Sequence, residues 1–534
     1  MTSKNQTAGI PHSLNRLWDA PDDARMVHSD GEWFTWGQMR ALVEGIEKRL
    51  ADAGLGTDAR VATVLGNRLE SIAALIAVIR TERTLVTLSP LQPPTRLAAD
   101  LRQSDPAAVL AAPRYWDEPE FVAAAVDSEA WGFSIEIDAP VTTRLTGTPS
   151  ASEPPQRGVA IEMRTSGTTG EPKRIPLSYK QINASLHSAV AHAGVTITEA
   201  PPFTGQPALI TLPIVHIGGM FALLQGLVQA RPLAILERFT IDGWRAAIRE
   251  HRPIVAGLPG AAIGTVLDAD VPPEDLSSLR ALNAGTSPVD PALVDEFVEK
   301  YGIAILIVYG ATEFSGAVAG WTIKDFRKSW EVKKGSVGRP FPGVELSVVD
   351  GDGSPVPTGT TGRLRVRSHQ SGHDSEWLTT SDLAHIDDDG FLYIDGRADD
   401  VIIRGGFKVS PDVVARALKS HDSVADAAVA GVPDPRLGSV PVAGVEVRRG
   451  ERRPSGSELR DHCRTQLTPY EVPVAVHVFD ELPRSASLKV DRRRLLELFA
   501  STAAESPAPE SPGSNGDLAP DPTARDLQSS VGKD

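Results

Sequence analysis

Cysteine is almost missing from this chain. Its one thiol, Cys463, allows no internal disulfide, which excludes a disulfide-stapled secreted scaffold and fits a reducing cytoplasm. No partnered histidine motif surrounds Cys463, so it reads as a structural thiol on a helix. Long hydrophobic runs are missing too. The most apolar helical stretch, Ser71–Arg80, is too short to span a bilayer, so it reads as a buried helix and no transmembrane segment is expected. The opening Met1-Thr-Ser-Lys-Asn-Gln carries no apolar core of a signal peptide, and the expected location is the cytoplasm. Positive charge is in deficit, with 54 Lys and Arg against 69 Asp and Glu and a formal net charge of −15. That argues against nucleic acid or an anionic membrane as the main partner. A small anion held by local donors is still allowed.

What is present is a chain of 534 residues, enough for a large core and more than one domain. Residues 36–54 place Met39, Leu42, Val43, Ile46 and Leu50 on one helical face. A strand at 60–66, a helix at 69–81, a strand at 84–89, a helix at 94–103 and a strand at 107–112 follow. A second series has strands at 208–213, 231–237, 253–257, 280–284 and 304–309. This alternation predicts an α/β fold with parallel sheets and helices on their faces. Residues 359–367 and 391–395 read as a more antiparallel β region. The pattern then changes to a compact α+β segment, with strands at 400–403, 425–432, 440–448 and 474–479 and helices at 411–419 and 456–466. We therefore place a large N-terminal domain at 1–396 and a small mobile α+β domain at 397–500. Residues 501–534 are Ser-, Pro-, Ala-, Gly- and Asp-rich with few large apolar residues. Such a segment cannot offset its ordering entropy and is expected to be a disordered tail.

The chemistry starts at Arg164-Thr-Ser-Gly-Thr-Thr-Gly-Glu-Pro-Lys-Arg-Ile-Pro-Leu-Ser178. Glycines let a backbone approach an anion closely, Ser and Thr add hydroxyl donors, and Lys173 adds a compact positive charge. It is not a Walker A loop, because Glu171 follows Gly170. A lone run of this kind is usually a surface loop. Further motifs follow in order: Tyr309-Gly-Ala-Thr-Glu313 at a strand end, Trp377-Leu-Thr-Thr-Ser-Asp382, Gly390-Phe-Leu-Tyr-Ile-Asp-Gly-Arg397, and Pro483-Arg-Ser-Ala-Ser-Leu-Lys489-Val-Asp491.

Taken together, these motifs resemble the adenylate-forming superfamily of acyl-CoA synthetases, stand-alone adenylation domains and luciferases, over about residues 30–495. The likeness is strongest to acyl- or aryl-CoA ligases. The resemblance implies that Thr165, Ser166, Gly167, Thr168, Thr169, Gly170 and Lys173 hold the phosphates of ATP. Tyr309 packs on adenine, Gly285 and Gly310 lie beside it, and Thr312 contacts phosphate. Glu313 and Thr168 hold Mg²⁺, to which a carboxylate oxygen is suited. Asp382 and Arg397 grip the ribose. Lys489 bridges the substrate carboxylate and the α-phosphate, so that Lys489, Thr168 and Glu313 are the catalytic set. Asp400 is the hinge, and Gly405 and Gly406 line the CoA tunnel. Two positions depart from the family pattern: Ser381 and Leu488 stand where glycines are usual. A side chain there is costly if the backbone must be left-handed.

Leu212-Pro-Ile-Val-His-Ile-Gly-Gly-Met220 resembles the segment lining the acyl pocket, with His216 as gate and Gly219, Met220, Gly257 and Ala311 as further walls. No Asp stands near His216 to hold an ammonium group, which favours an apolar acid, aromatic or aliphatic. Gly372-His-Asp-Ser375 mimics a carrier-protein modification site, but no helical bundle fits around it and it reads as a loop coincidence. The expected activity is that of an ATP-, Mg²⁺- and CoA-dependent acid–CoA ligase with small-molecule partners, a homodimer being left open. The alternatives are an enzyme loading a separate carrier protein and a nucleotide- or acyl-binding regulator without turnover.

Overall fold

The computed structural model describes residues 9–148, 156–165, 173–194, 200–260, 262–285, 288–372, 376–398, 400–404, 407–434, 436–485 and 489–505. The first sheet of the alternating series is seven-stranded, in the order Thr142–Leu145, Trp131–Ser134, Ala108–Ala111, Arg60–Val64, Thr84–Leu88, Val159–Thr165, Lys173–Ser178. Its inner strands are parallel and both edge strands antiparallel. The first long helix, Trp36–Asp52, starts at a capping box in which Thr35 and Gln38 satisfy each other's backbone N–H. Its face of Met39, Leu42, Val43, Ile46 and Leu50 is buried, as its spacing predicts. Helix Leu69–Arg80 is apolar on all sides because it lies inside this core.

The second series forms the parallel strands Val255–Pro259, Ala281–Gly285 and Ala304–Ala311, with Gly316–Gly320 and Arg339–Pro340 added antiparallel. The hairpin after Ala304–Ala311 is very tight. A Cβ at Gly310 would sit 2.2 Å from the Gly316 carbonyl oxygen, and Ser315 takes a left-handed φ of 56°. The remaining early strands make a four-stranded sheet in the order Ala208–Ile210, Leu233–Ile235, Arg25–Ser29, Glu32–Thr35. The antiparallel region is a four-stranded sheet of Val344–Val349, Gly362–Ser368, Leu378–Ile386 and Leu392–Arg397.

Beyond residue 400 a separate sheet gathers Ile402–Arg404, Phe407–Val409, Val424–Asp434, Gly438–Val447 and Ala475–Phe479. It has its own apolar core, which includes Val414, Leu418, Val429, Val445, Leu459 and Cys463. Cys463 lies on helix Gly456–Arg464, and burial pushes its thiol up to about 11. One expectation needs correcting at the C-terminus. Helix Arg492–Glu505 runs past residue 501, the expected start of the tail, and Leu495 and Phe499, one turn apart, anchor it in the small core. Residues 506–534 lie outside the described residues. The two sheet systems meet at Gly396, whose φ is +140°; a Cβ there would stand 3.0 Å from Ser410 Oγ and 3.1 Å from Asp412 Oδ2.

Candidate active site

A cleft of about 3610 Å³ runs between the large sheets and the C-terminal sheet. Strands Val159–Thr165 and Lys173–Ser178 form a hairpin, with Thr165 opposite Lys173 in the ladder, and Met163 and Arg164 of its first strand line the cleft. Residues 166–172, including Ser166, Gly167, Thr168, Thr169 and Gly170, lie outside the described residues. The base of the hairpin has a feature the sequence reading missed. Asp100, with no exposed side-chain surface, receives Arg164 Nη1 at 3.0 Å from one strand and Arg174 Nη2 from the other. Gln92 Nε2 donates to its second oxygen at 3.2 Å. Burial lowers the Arg174 guanidinium below its ordinary range, and Asp100 works against that shift. Three charges thus share one largely buried site with an excess of one positive, between the two strands of the hairpin.

The strand end Tyr309–Ala311 and the short turn Thr312–Phe314 present Tyr309, Gly310, Ala311, Thr312 and Glu313 to the cleft. Tyr309 Oη donates a hydrogen bond to Asp382 Oδ2. Burial, then the neighbouring Asp382 charge, raises the phenol far above its usual range, so it stays protonated. Asp382 faces Arg397 across the ladder, with Arg397 Nη1 3.9 Å from Asp382 Oδ1. Arg397 Nη2 also donates to Ser381 Oγ. Ser381 lies in strand Leu378–Ile386 and is not among the residues with left-handed φ. The missing glycine therefore costs no backbone strain there, and the serine hydroxyl gains a guanidinium contact. Arg397 Nε lies 3.8 Å from Asp400 Oδ2, and Asp400 Oδ1 is paired with Arg492. A continuous chain of polar contacts thus runs from Tyr309 to the C-terminal helix.

Lys489 comes from the small sheet system, at the end of a bridge in which Ser485 N donates to the Lys489 carbonyl at 2.7 Å. The side chain opens onto the cleft and keeps solvent contact there. The surrounding walls still desolvate its ammonium, and with the Arg397 charge they lower it below the usual lysine range, while Asp382 opposes the shift. His216, directly before helix Ile217–Val228, feels both burial and the Lys489 charge, and both lower it, so the imidazole is neutral at neutral pH. The fold therefore brings Lys489 and Arg397 together with Tyr309, Asp382 and His216 from distant parts of the chain. Leu488 lies outside the described residues.

The acyl-pocket expectations divide. His216, Gly257 and Ala311 line the cleft, and so does Gly285. Met220 does not: it is fully buried in the first core, on the inner face of its helix. Gly219 is also turned inward, because a Cβ there would stand 2.3 Å from the Pro213 carbonyl oxygen. Ile217, Gly218, Phe221 and Ala222, which share one face of the helix, provide the cleft-facing side instead. Gly405 and Gly406, and residues 373–375 of the carrier-site mimic, lie outside the described residues. No helix among the described residues is long and apolar enough to cross a membrane.

Comparison with known proteins agrees with this geometry. The AMP-binding enzyme family matches residues 16–372, and the AMP-binding enzyme C-terminal domain matches 414–489. The chain is 28% identical over 507 residues to a 2-succinylbenzoate–CoA ligase of Bacillus pumilus, covering 90% of this chain and 96% of the relative. It is 28% identical over 500 residues to a sulfoacetate–CoA ligase of Cupriavidus necator, covering 89% and 95%. Among solved structures, o-succinylbenzoate CoA synthetase from Bacillus subtilis, in complex with its acyl-adenylate intermediate, is 25% identical with a TM-score of 0.73, over 90% of this chain and 97% of that one. The matched span, the two sheet systems and the cleft between them have one reading: the chain belongs to the AMP-binding enzyme family and is an adenylate-forming enzyme.

Proposed function

We propose that this AMP-forming acid–CoA ligase activates an apolar carboxylic acid, with an aryl or alicyclic body, as its acyl adenylate and then transfers the acyl group to CoA. The observation that carries the reading is the convergence of Lys489 and Arg397 on the Tyr309–Asp382 pair, across from a neutral His216. A carboxylate is a poor acyl donor until its oxygen becomes part of a good leaving group, and attack on the α-phosphate of ATP provides one. The protein's share of that step is orientation and electrostatic stabilisation. Lys489 is placed to neutralise charge shared between the substrate carboxylate and the α-phosphate. Asp382 can accept from ribose hydroxyls, and Tyr309 offers a ring face for adenine.

Glu313 is an exposed carboxylate on the cleft wall and fits a hard cation. With Thr168, it would hold Mg²⁺, which supplies charge neutralisation at the phosphates when bound. The apolar wall of Val215, Ile217, Phe221, Ala222 and Val255 supports an uncharged acyl body.

Domain alternation is part of the proposal, with Asp400 as pivot. The hairpin carrying Gly405 and Gly406 is flanked by Ile403 and Phe407, which are 48% and 56% exposed, Phe407 stacking on Tyr470 with ring centroids 4.7 Å apart. Neither lines the cleft while Lys489 does. An exposed apolar pair suits a surface that is covered in another orientation. The decisive experiment is carboxylate-dependent ATP–pyrophosphate exchange over aryl, alicyclic and fatty acids, followed by thioester formation with CoA or a carrier protein. Exchange with apolar acids and a CoA thioester are the expected results. Absence of exchange across the whole set would leave a binding protein without turnover, and transfer only to the carrier would replace CoA as acceptor.

A further inference from the structure

A second cluster of chemistry-bearing side chains lies away from the cleft lining, where strand Arg25–Ser29 meets helix Ile241–His251. His28 is 8% exposed. Its Nδ1 is 3.1 Å from His251 Nε2. Its Nε2 is 3.1 Å from Glu250 Oε1, at an angle that makes no hydrogen bond, so this buried nitrogen has none among the described residues. One donor atom from each of His28, Glu250 and His251 falls within 4.8 Å of the others.

We propose that His28, Glu250 and His251 form a binding site for a divalent transition cation of the zinc type. Imidazole nitrogens with one carboxylate oxygen are the donors that zinc takes, at about 2.0–2.2 Å. In a tetrahedral site such donors stand about 3.3 Å apart; the 3.1 Å between His28 Nε2 and Glu250 Oε1 is close to that, and the three donor atoms already lie within 4.8 Å of one another. Binding through His28 Nε2 gives up the histidine–histidine hydrogen bond at Nδ1 and draws the His251 ring toward the ion, with the half-exposed Glu250 carboxylate already on the Nε2 side. Three protein ligands leave one position for water.

Two features of the surroundings favour a cation. Glu250 and His251 end an eleven-residue helix, where unpaired carbonyl groups attract positive charge. The Trp33 ring packs against both histidines, with centroids 5.1 and 5.8 Å away, and shields the site from bulk water. The ion would clip the four-stranded sheet to the helix that leads into Val255–Pro259, a strand whose residues line the cleft.

The test uses the full-length protein, stripped of metal and titrated with ZnCl₂ by calorimetry and with CoCl₂ by visible absorption. One equivalent should bind, and the unfolding midpoint should rise. With its single cysteine buried, the cobalt spectrum should show no thiolate charge-transfer band. Glu250→Gln and His251→Ala, both at partly exposed positions, should each weaken binding roughly tenfold or more and remove the midpoint shift. His462→Ala, at a distant histidine pair, should leave binding unchanged. Binding that survives Glu250→Gln and His251→Ala belongs to another site and overturns the proposal. So does the absence of stoichiometric binding.

Discussion

Asp100→Ala gives the sharpest test of how the phosphate-loop hairpin is held. The substitution removes a fully buried carboxylate and leaves Arg164 and Arg174 side by side without it. Breaking a buried ion pair from one side costs about 3–5 kcal/mol, because the remaining charge is uncompensated. Here two guanidinium groups remain, and they repel each other. We therefore expect the upper part of that range, about 4–5 kcal/mol. Asp100→Asn keeps the shape and one acceptor but not the charge, and should cost less, about 2–3 kcal/mol. Urea denaturation followed by fluorescence measures both, with the slope against denaturant checked for constancy. The Coulombic account also fixes a second readout: removing the negative charge makes the hairpin base more positive, so nucleotide affinity should fall less than stability does. A loss below about 1 kcal/mol in Asp100→Ala, or an Asn variant as damaged as the Ala variant, would refute the idea that charge pairing holds the hairpin.

Other expectations concern the chemistry and the domain motion. Lys489→Ala should lower ATP–pyrophosphate exchange by about 10²–10³-fold while equilibrium dialysis still finds ATP bound. Because burial and Arg397 lower the Lys489 ammonium, exchange should fail at a lower pH than an ordinary lysine would allow. Stability moves the other way. The unfolded lysine stays protonated where the folded one has lost its proton, so unfolding free energy from this residue rises with pH through that window, which pH-dependent denaturation can follow. Phe407→Ala should leave exchange intact and slow thioester formation by roughly ten- to hundredfold; equal losses in both half-reactions would remove the domain-alternation argument. Gly310→Ala forces a Cβ against the Gly316 carbonyl at 2.2 Å and should lower both the thermal midpoint and adenine affinity.

Much of this architecture was legible from local pattern. Apolar spacing of 3.6 and 2 residues reported the Trp36–Asp52 helix and the strands that follow it, because each buries one face against its neighbours. Motif residues Tyr309, Asp382, Arg397 and Lys489, which the fold brings to one cleft, stand out in the sequence because the chemistry proposed for them demands a few residue types. Asp100 was not. Its partners lie sixty-four and seventy-four positions later, as Arg164 and Arg174, and no periodicity joins a carboxylate to charges at that separation. Met220 and Gly219 were misplaced because a helix that is apolar around most of its surface does not declare which side meets the cleft. The C-terminal helix Arg492–Glu505 was not read, because its small, polar last turn resembles the tail, while Leu495 and Phe499 hold its beginning in the core.

The seam at Gly396 has a mechanical consequence. The clearance there is thinner than a methyl group: an added carbon would press on Ser410 Oγ at 3.0 Å and Asp412 Oδ2 at 3.1 Å, inside ordinary contact distance. This glycine thus works like a shim of zero thickness between two bodies. The reach of Lys489 into the cleft is set by how closely those bodies seat, so a single carbon at a strand end, far from any substrate, is a lever on where a reactive ammonium stops.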